Sequence, residues 1–249
     1  MDKNFRGKTV LVTGATGGIG QATCLAFAQR GARVLVHFRS DEKAARAMVK
    51  GLTRFGKGHE ALYADLADPE SITALFARIR KLDVLVNNAG FCPKNAFLDV
   101  PLAELEQVMN VNFRAPFLCS QAAARLMKKG SAIVFVASID GFHPGQGRTH
   151  YGASKAAELN LMRNVALELA PRGIRVNAVA PGAIDTPMIS KVRADRKREA
   201  TVLAGIPQGR FGKPQEIAET VCFLANAACG YATGAMVTVD GGLTLVRGY

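Results

Sequence analysis

The chain has no tryptophan, only 4 tyrosines among 249 residues and an aromatic content of 7%. Nucleic-acid readers stack bases on aromatic side chains set among basic ones. No such interleaving occurs here, so sequence-specific nucleic-acid binding is not expected. No run of about 18 or more apolar residues occurs either, which argues against a membrane-spanning helix. The five cysteines, Cys24, Cys92, Cys119, Cys222 and Cys229, form no CxxC pair and no metal-ligand spacing. Most lie in apolar helical runs and read as buried free thiols, so neither a disulfide framework nor a metal site is expected. Repeats, linkers and low-complexity stretches are missing as well. Met1 to Lys8 lead into a strand-like segment without an apolar signal region, so a cytoplasmic protein is expected.

What is present is an ordinary globular balance, 49% hydrophobic and 21% charged, with a net charge of +12. That charge admits polyanionic partners, including a phosphorylated cofactor or an acidic protein. Apolar runs alternate with helix-length amphipathic segments. Strands are expected at Lys8–Thr13, Arg33–His37, Ala61–Ala64, Leu82–Val86, Ala132–Ala137, Ile174–Val179 and Met236–Val239. Helices are expected at Gly18–Arg30, Asp41–Phe55, Glu70–Lys81, Leu102–Lys128 and His150–Ala170, the last ended by Pro171 and Gly173. All-apolar strands alternating with helices imply an α/β fold: a doubly wound parallel sheet with helices on both faces. Residues 1–249 read as one domain. The segment 186–207 fits the alternation least and is rich in charge, so it is a candidate substrate lid.

After the first strand comes Gly14-Ala15-Thr16-Gly17-Gly18-Ile19-Gly20, and then a helix. A glycine-rich strand-to-helix turn lets backbone approach a pyrophosphate, which sits on free N–H groups at the positive helix end. The spacing is GxxxGxG rather than GxGxxG. With Thr13 this turn resembles that of the short-chain dehydrogenase/reductase family. The similarity continues through Asn87-Asn88-Ala89-Gly90, Tyr151-Gly152-Ala153-Ser154-Lys155 and Pro181-Gly182, in the family's order and over essentially the whole chain. The resemblance implies a Rossmann-type fold and an oxidoreductase interconverting a carbonyl group and a secondary alcohol by hydride transfer.

The cofactor can be read in part from the end of the second strand, Val36-His37-Phe38-Arg39-Ser40. An NAD-selective site places an acid about 20 residues past the glycine turn, against the ribose 2′-hydroxyl. Phe38 falls there and cannot do this, whereas Arg39 and Ser40 can hold a 2′-phosphate, so NADP(H) is expected over NAD(H). Ser40 also reads as an N-cap, with Asp41 and Glu42 at the positive helix end. The basic residue that many NADP-using relatives carry in the glycine turn is replaced here by Gly17. The resemblance adds Asp65 and Leu66 as adenine contacts, and Ile184 and Thr186 beside the nicotinamide. It puts the remaining cofactor contacts at Gly14, Thr16, Gly18, Ile19, Asn88, Tyr151, Lys155 and Pro181.

Tyrosine is a poor acid–base at neutral pH because its ordinary pKa is about 10. A lysine four residues on lies on the same helix face, and its charge favours the phenolate. Tyr151 and Lys155 have that spacing, and Ser138 ends the fifth strand, at the sheet edge where such folds bind ligands. The resemblance assigns Ser138 to the substrate carbonyl and Tyr151 to the proton. It assigns Lys155 to the tyrosine pKa and the nicotinamide ribose, and Asn112 to the proton relay. His143 and His150 flank the site and match no role; satisfied or solvent-facing histidines are expected.

The substrate class stays open between a 3-oxoacyl thioester on an acidic acyl carrier protein, which is favoured, and a sugar, polyol or other small alcohol. Arg172 matches a basic position with which carrier-protein reductases dock their partner. Arg125, Lys128 and Lys129, and Lys191, Arg193, Arg196, Lys197 and Arg198 on the candidate lid, read equally as a docking patch or a solvated cationic face. A reading of another class is an inactive cofactor-binding regulator. The resemblance also implies a homotetramer. Ala156, Leu159, Leu161, Met162, Val165, Ala166 and Leu169 could serve that interface or the core.

Overall fold

A computed structural model describes residues 4–246, apart from the side chain of Lys191. Seven strands form one parallel sheet: β1 (Thr9–Val12), β2 (Arg33–Phe38), β3 (Glu60–Tyr63), β4 (Val84–Asn87), β5 (Ala132–Val136), β6 (Arg175–Pro181) and β7 (Met236–Val239). Their order is β3-β2-β1-β4-β5-β6-β7. Strands β1, β4, β5 and β6 are buried throughout, as continuous apolar runs must be when helices cover both faces. Alternation along each strand then feeds two cores. Val10 and Val12 face Phe27 of α1 (Gly18–Gln29) and Ile217, while Leu11 faces Phe76 of α3 (Pro69–Ala77) and the helices beyond it. On the first face, α2 (Glu42–Leu52) covers β2 and β3.

Winding starts at β1, runs outward to β3, then returns to β4 on the other side of β1. The loops leaving β1 and β4 therefore part in opposite directions, which opens a crevice at the carboxyl edge of the sheet.

Three segments depart from the sequence expectation. The span 102–128 is not one helix: α4 (Leu102–Met109) and α5 (Ala115–Leu126) are joined by a wide π-helical turn at Asn110–Arg114. Segment 186–207 is mostly helical, with α7 (Ser190–Arg193) and α8 (Arg196–Ala204), the second capped by Asp195 on the N–H groups of Lys197 and Arg198. Helix α9 (Pro214–Ala225) was not anticipated at all. It starts at Pro214, the Glu216 carboxylate accepts from the Lys213 N–H at 2.6 Å, and Ile217, Ala218, Val221, Cys222, Leu224 and Ala225 are buried. Its carboxyl end is closed by Arg175, whose guanidinium donates to the carbonyls of Leu224, Ala225 and Asn226.

Along α6 (Thr149–Leu169), Leu159, Leu161, Met162 and Ala166 belong to the core, while Ala156 is exposed. Cys24, Cys119 and Cys222 are buried as expected, but Cys92 and Cys229 are only half-buried. No helix among the described residues is long and apolar enough to cross a membrane.

Candidate active site

The crevice is built around the turn after β1. The Thr13 hydroxyl donates to the Val86 carbonyl and accepts from the N–H groups of Asn88 and Ala89 at 2.9 and 3.0 Å. The Asn88 amide donates to the carbonyls of Thr13 and Gly14. Asn88 thus acts on the turn itself. Gly14 has φ +59°, and a Cβ there would lie 2.8 Å from the Ala89 Cα, so only glycine fits. Helix α1 has Gly17 as its N-cap residue, with no side-chain cap and no acid in its first turn. Such an end, with unpartnered donors and positive dipole, fits a phosphate group.

A residue not anticipated from the sequence holds this turn. Buried His37 accepts the Gly14 N–H on Nδ1 at 3.0 Å and donates from Nε2 to the Ala64 carbonyl at 3.1 Å. It ties the turn to the β3 end, where Asp65 stands. Burial lowers the His37 pKa to about 4, so the ring is neutral in the tautomer that this bonding requires. A histidine in an apolar strand carries no mark of such a role; only the folded neighbours reveal it.

Beyond His37, Arg39 and Ser40 are exposed at the crevice rim. Helix α2 is capped by Asp41, which accepts from the Ala44 N–H at 2.8 Å, and not by Ser40 as one reading of the sequence had it. Asp65 accepts the Ala67 N–H on Oδ1, so its second oxygen faces no bond within the turn, and Leu66 is buried beside it. On the far side, Pro181 ends β6, Ile184 is buried and Thr186 packs on the glycine turn. A Cβ on Gly18 would lie 2.8 Å from the Thr186 methyl. Thr16, Gly17, Gly18 and Ile19 all line the outer side of this turn, none of them fully buried.

Ser138 follows β5, with the Asp140 N–H donating to its hydroxyl at 3.1 Å. Tyr151 and Lys155 project from α6 and are both buried. Burial raises the Tyr151 pKa above its ordinary value, while the Lys155 charge and the Ser138 hydroxyl pull it down and lose. The expected lysine effect is therefore present in sign but outweighed by desolvation. Lys155 Nζ donates to the Val136 carbonyl at 3.0 Å and to Glu158 Oε2 at 2.7 Å.

Asn112 sits in the π-helical turn, fully buried, a local geometry often found where a side chain must be aimed. Its amide donates to the Phe91 carbonyl and the Ser154 hydroxyl, and its Oδ1 accepts from the Phe91 N–H. A Cβ on Gly90 would lie 3.8 Å from Asn112 Oδ1 and 3.9 Å from Lys155 Nζ, so the glycine leaves an atom-sized space between them. All four sequence-predicted reaction residues thus converge near the ends of β4 and β5.

The wall beside them is polar. The Arg148 guanidinium lies 2.6 Å from Asp140, whose other neighbour is the Ser138 hydroxyl. His150 is buried, with Nε2 3.1 Å from Glu104 but neither ring nitrogen at hydrogen-bond geometry, so it is neither satisfied nor solvent-facing. Arg172 is exposed, and one of its guanidinium nitrogens donates to the carbonyl of Ala124 at 2.7 Å, near the end of α5. On the candidate lid, Arg193 forms a two-pronged ion pair with Asp185, while Arg196, Lys197 and Arg198 are exposed.

A family model described as enoyl-(acyl carrier protein) reductase matches residues 14–244. The chain is 41% identical over 246 residues to L-rhamnose 1-dehydrogenase (NAD(P)(+)) of Azotobacter vinelandii, covering 95% of this chain and 96% of that one. It is 38% identical over 247 residues to the 3-oxoacyl-[acyl-carrier-protein] reductase of Thermotoga maritima, covering 97% and 99%. Among solved structures, a short chain dehydrogenase of Burkholderia cenocepacia in complex with NADP superposes with TM-score 0.91 at 34% identity, covering 97% and 99%.

The neutral ring of His37 has a thermodynamic consequence. Its pKa falls from 6.5 to about 4 on folding, so its contribution is full above 6.5 and is lost as pH drops toward 4. Denaturant titrations of the wild type and His37→Asn should therefore diverge, the wild type losing roughly 3 kcal/mol relative to the variant across that window. Parallel curves would remove this role from His37.

Proposed function

The chain belongs to the short-chain dehydrogenase/reductase family, and we propose that it is an NADP(H)-dependent oxidoreductase with Tyr151 as its acid–base. The reading rests above all on the convergence of Ser138, Tyr151, Lys155 and Asn112 beside a glycine turn built to receive a phosphate. An NADP(H) bound there would supply or accept the hydride.

The residues of the chain do the rest. The Ser138 hydroxyl hydrogen-bonds the reacting oxygen, and Tyr151 gives that oxygen a proton in reduction or takes one in oxidation. The Lys155 ammonium favours the phenolate and orients the nicotinamide ribose. Asn112 and the space beside Gly90 suit a single water linking Lys155 to bulk solvent. Gly14, Thr16, Gly17, Gly18 and Ile19 would carry the pyrophosphate, Asp65 and Leu66 the adenine, and Pro181, Ile184 and Thr186 the nicotinamide. Asn88 acts by shaping the turn. Arg39 and Ser40 would hold the 2′-phosphate, in line with the NADP in the Burkholderia cenocepacia structure. The span 186–207, rooted on the turn through Thr186, serves as the lid.

The sequence favours a carrier-bound 3-oxoacyl thioester as substrate; the cleft wall favours a hydroxylated one. Asp140 and Arg148 next to Ser138 form a polar, hydrogen-bonding wall suited to a sugar or polyol, the class named for the Azotobacter vinelandii relative. As in the family resemblance, four copies would assemble, covering exposed Phe97, Leu98, Leu102 and Phe117.

A steady-state panel with NADP(H) and NAD(H) against aldoses, polyols, simple ketones and an acetoacetyl thioester tests substrate and chemistry together. Sugar or polyol turnover should exceed thioester reduction, and Tyr151→Phe should lower kcat about 100- to 10,000-fold. Thioester turnover in excess would reverse the substrate reading. NADPH binding with no turnover of any compound would favour the inactive regulator. Arg39→Ala should weaken NADPH binding about 10- to 100-fold and leave NADH binding alone; an equal loss for both would show that Arg39 does not read the phosphate. Light scattering should give four chains per particle, and a monomer would discard the assembly.

A further inference from the structure

Glu158 is a buried acid to which the reaction above gives no task. It lies on α6, seven residues after Tyr151 and three after Lys155, so all three share one helix face. Its relative exposure is 1%, that of Lys155 is 2%, and its Oε2 stands 2.7 Å from Lys155 Nζ. Its neighbours on the helix are core residues, Leu159, Leu161 and Met162. A buried ion pair is weak ground for stability, because an apolar side chain of similar size usually does as well. Its effect on charge is another matter.

Without Glu158, the phenol of Tyr151 would face an isolated buried ammonium. With it, the phenol faces a close pair of opposite charges, whose field falls off much faster with distance. The remaining groups around the phenol act in mixed directions. Asp140 and Cys92 oppose ionisation, and the Ser138 hydroxyl favours it. The Arg148 charge is matched by Asp140. From β5 the pair meets only the Val136 carbonyl, and the nearby Asn112 of the π-helical turn is uncharged.

We propose that Glu158 is a positioning residue for proton transfer: it anchors Lys155 and, by cancelling part of its field, raises the pH above which Tyr151 can accept a proton from an alcohol. The proposal rests on the roles given above to Tyr151 and Lys155.

The test reads the tyrosinate absorbance directly, which needs no substrate. In the intact protein with NADP+ bound, the pH titration of wild type minus Tyr151→Phe isolates Tyr151. The same difference is taken on the Glu158→Gln background. The ionisation midpoint should fall by about one pH unit in Glu158→Gln, and Glu158→Asp should restore most of the difference. Glu158→Met, whose apolar side chain suits the buried position, gives the same reading if the glutamine variant folds poorly. The low-pH limb of alcohol oxidation should move by the same amount, without a matching change in KM. An unmoved midpoint with a uniform loss of activity at every pH would reduce Glu158 to a structural role. A midpoint that rises would mean that Glu158 serves to keep Lys155 charged, and would overturn the proposal. If Tyr151→Phe itself retains full activity while the midpoint still shifts, the proposed reaction fails and the electrostatic coupling stands.

Discussion

The crevice depends on how one hydroxyl is bonded. Where the sheet reverses its winding, β1 and β4 lie side by side but their loops diverge, and Thr13 bridges them with one donated and two accepted hydrogen bonds. Asn88 completes the joint from the β4 side with its amide. The close approach this enforces between Gly14 and Ala89 leaves no room for a side chain, and the glycine turn takes its shape from that contact. His37 then fixes the same turn from the β2 side. The proposed phosphate-binding element is thus held by three neighbouring strands, which would keep the ordering cost of binding low.

The proposed reaction centre shows the opposite logic, a set of groups in tension. Desolvation works against the charged forms of Tyr151, Lys155 and Glu158 alike; it prevails at Tyr151 and Glu158, while at Lys155 the partner groups outweigh it. A protein that buries a proton-transfer site must supply its charges as partners, because water is not there to solvate them. Beside Gly90, between Lys155 and Asn112, the missing side chain leaves room for one more atom.

Much of this was legible in the chain. The strands β1, β4, β5 and β6 are continuous apolar runs, and the parallel sheet follows from them. Gly14 to Gly20, Ser138, Tyr151, Lys155 and Asn112 form recognisable spacings, and the fold brings them together. What escaped was carried by contacts between segments far apart in sequence. His37 looks like any polar residue in a strand until Gly14 is folded over it. Arg172 reads as a free surface charge, yet the nearby end of α5 supplies carbonyls that it can reach. Glu158 looks like a solvated residue on a mixed helix, and only the burial of that face reveals a charge without water. Helix α9 differs from these, since Pro214, Glu216 and its apolar spacing are a local signal that the sequence itself carries.

The wide turn at Asn110–Arg114 is a matter of phase. An α-helix advances by a fixed angle at each residue, so accommodating an extra residue in one turn rotates everything beyond it relative to everything before. Helices α4 and α5 run in succession, but their faces follow two different clocks, and Asn112 stands where the two meet. Deleting a single residue there would barely alter the composition and would leave the glycine turn and the Tyr151–Lys155 spacing intact. It would also turn the Asn112 amide away from Phe91 and Ser154.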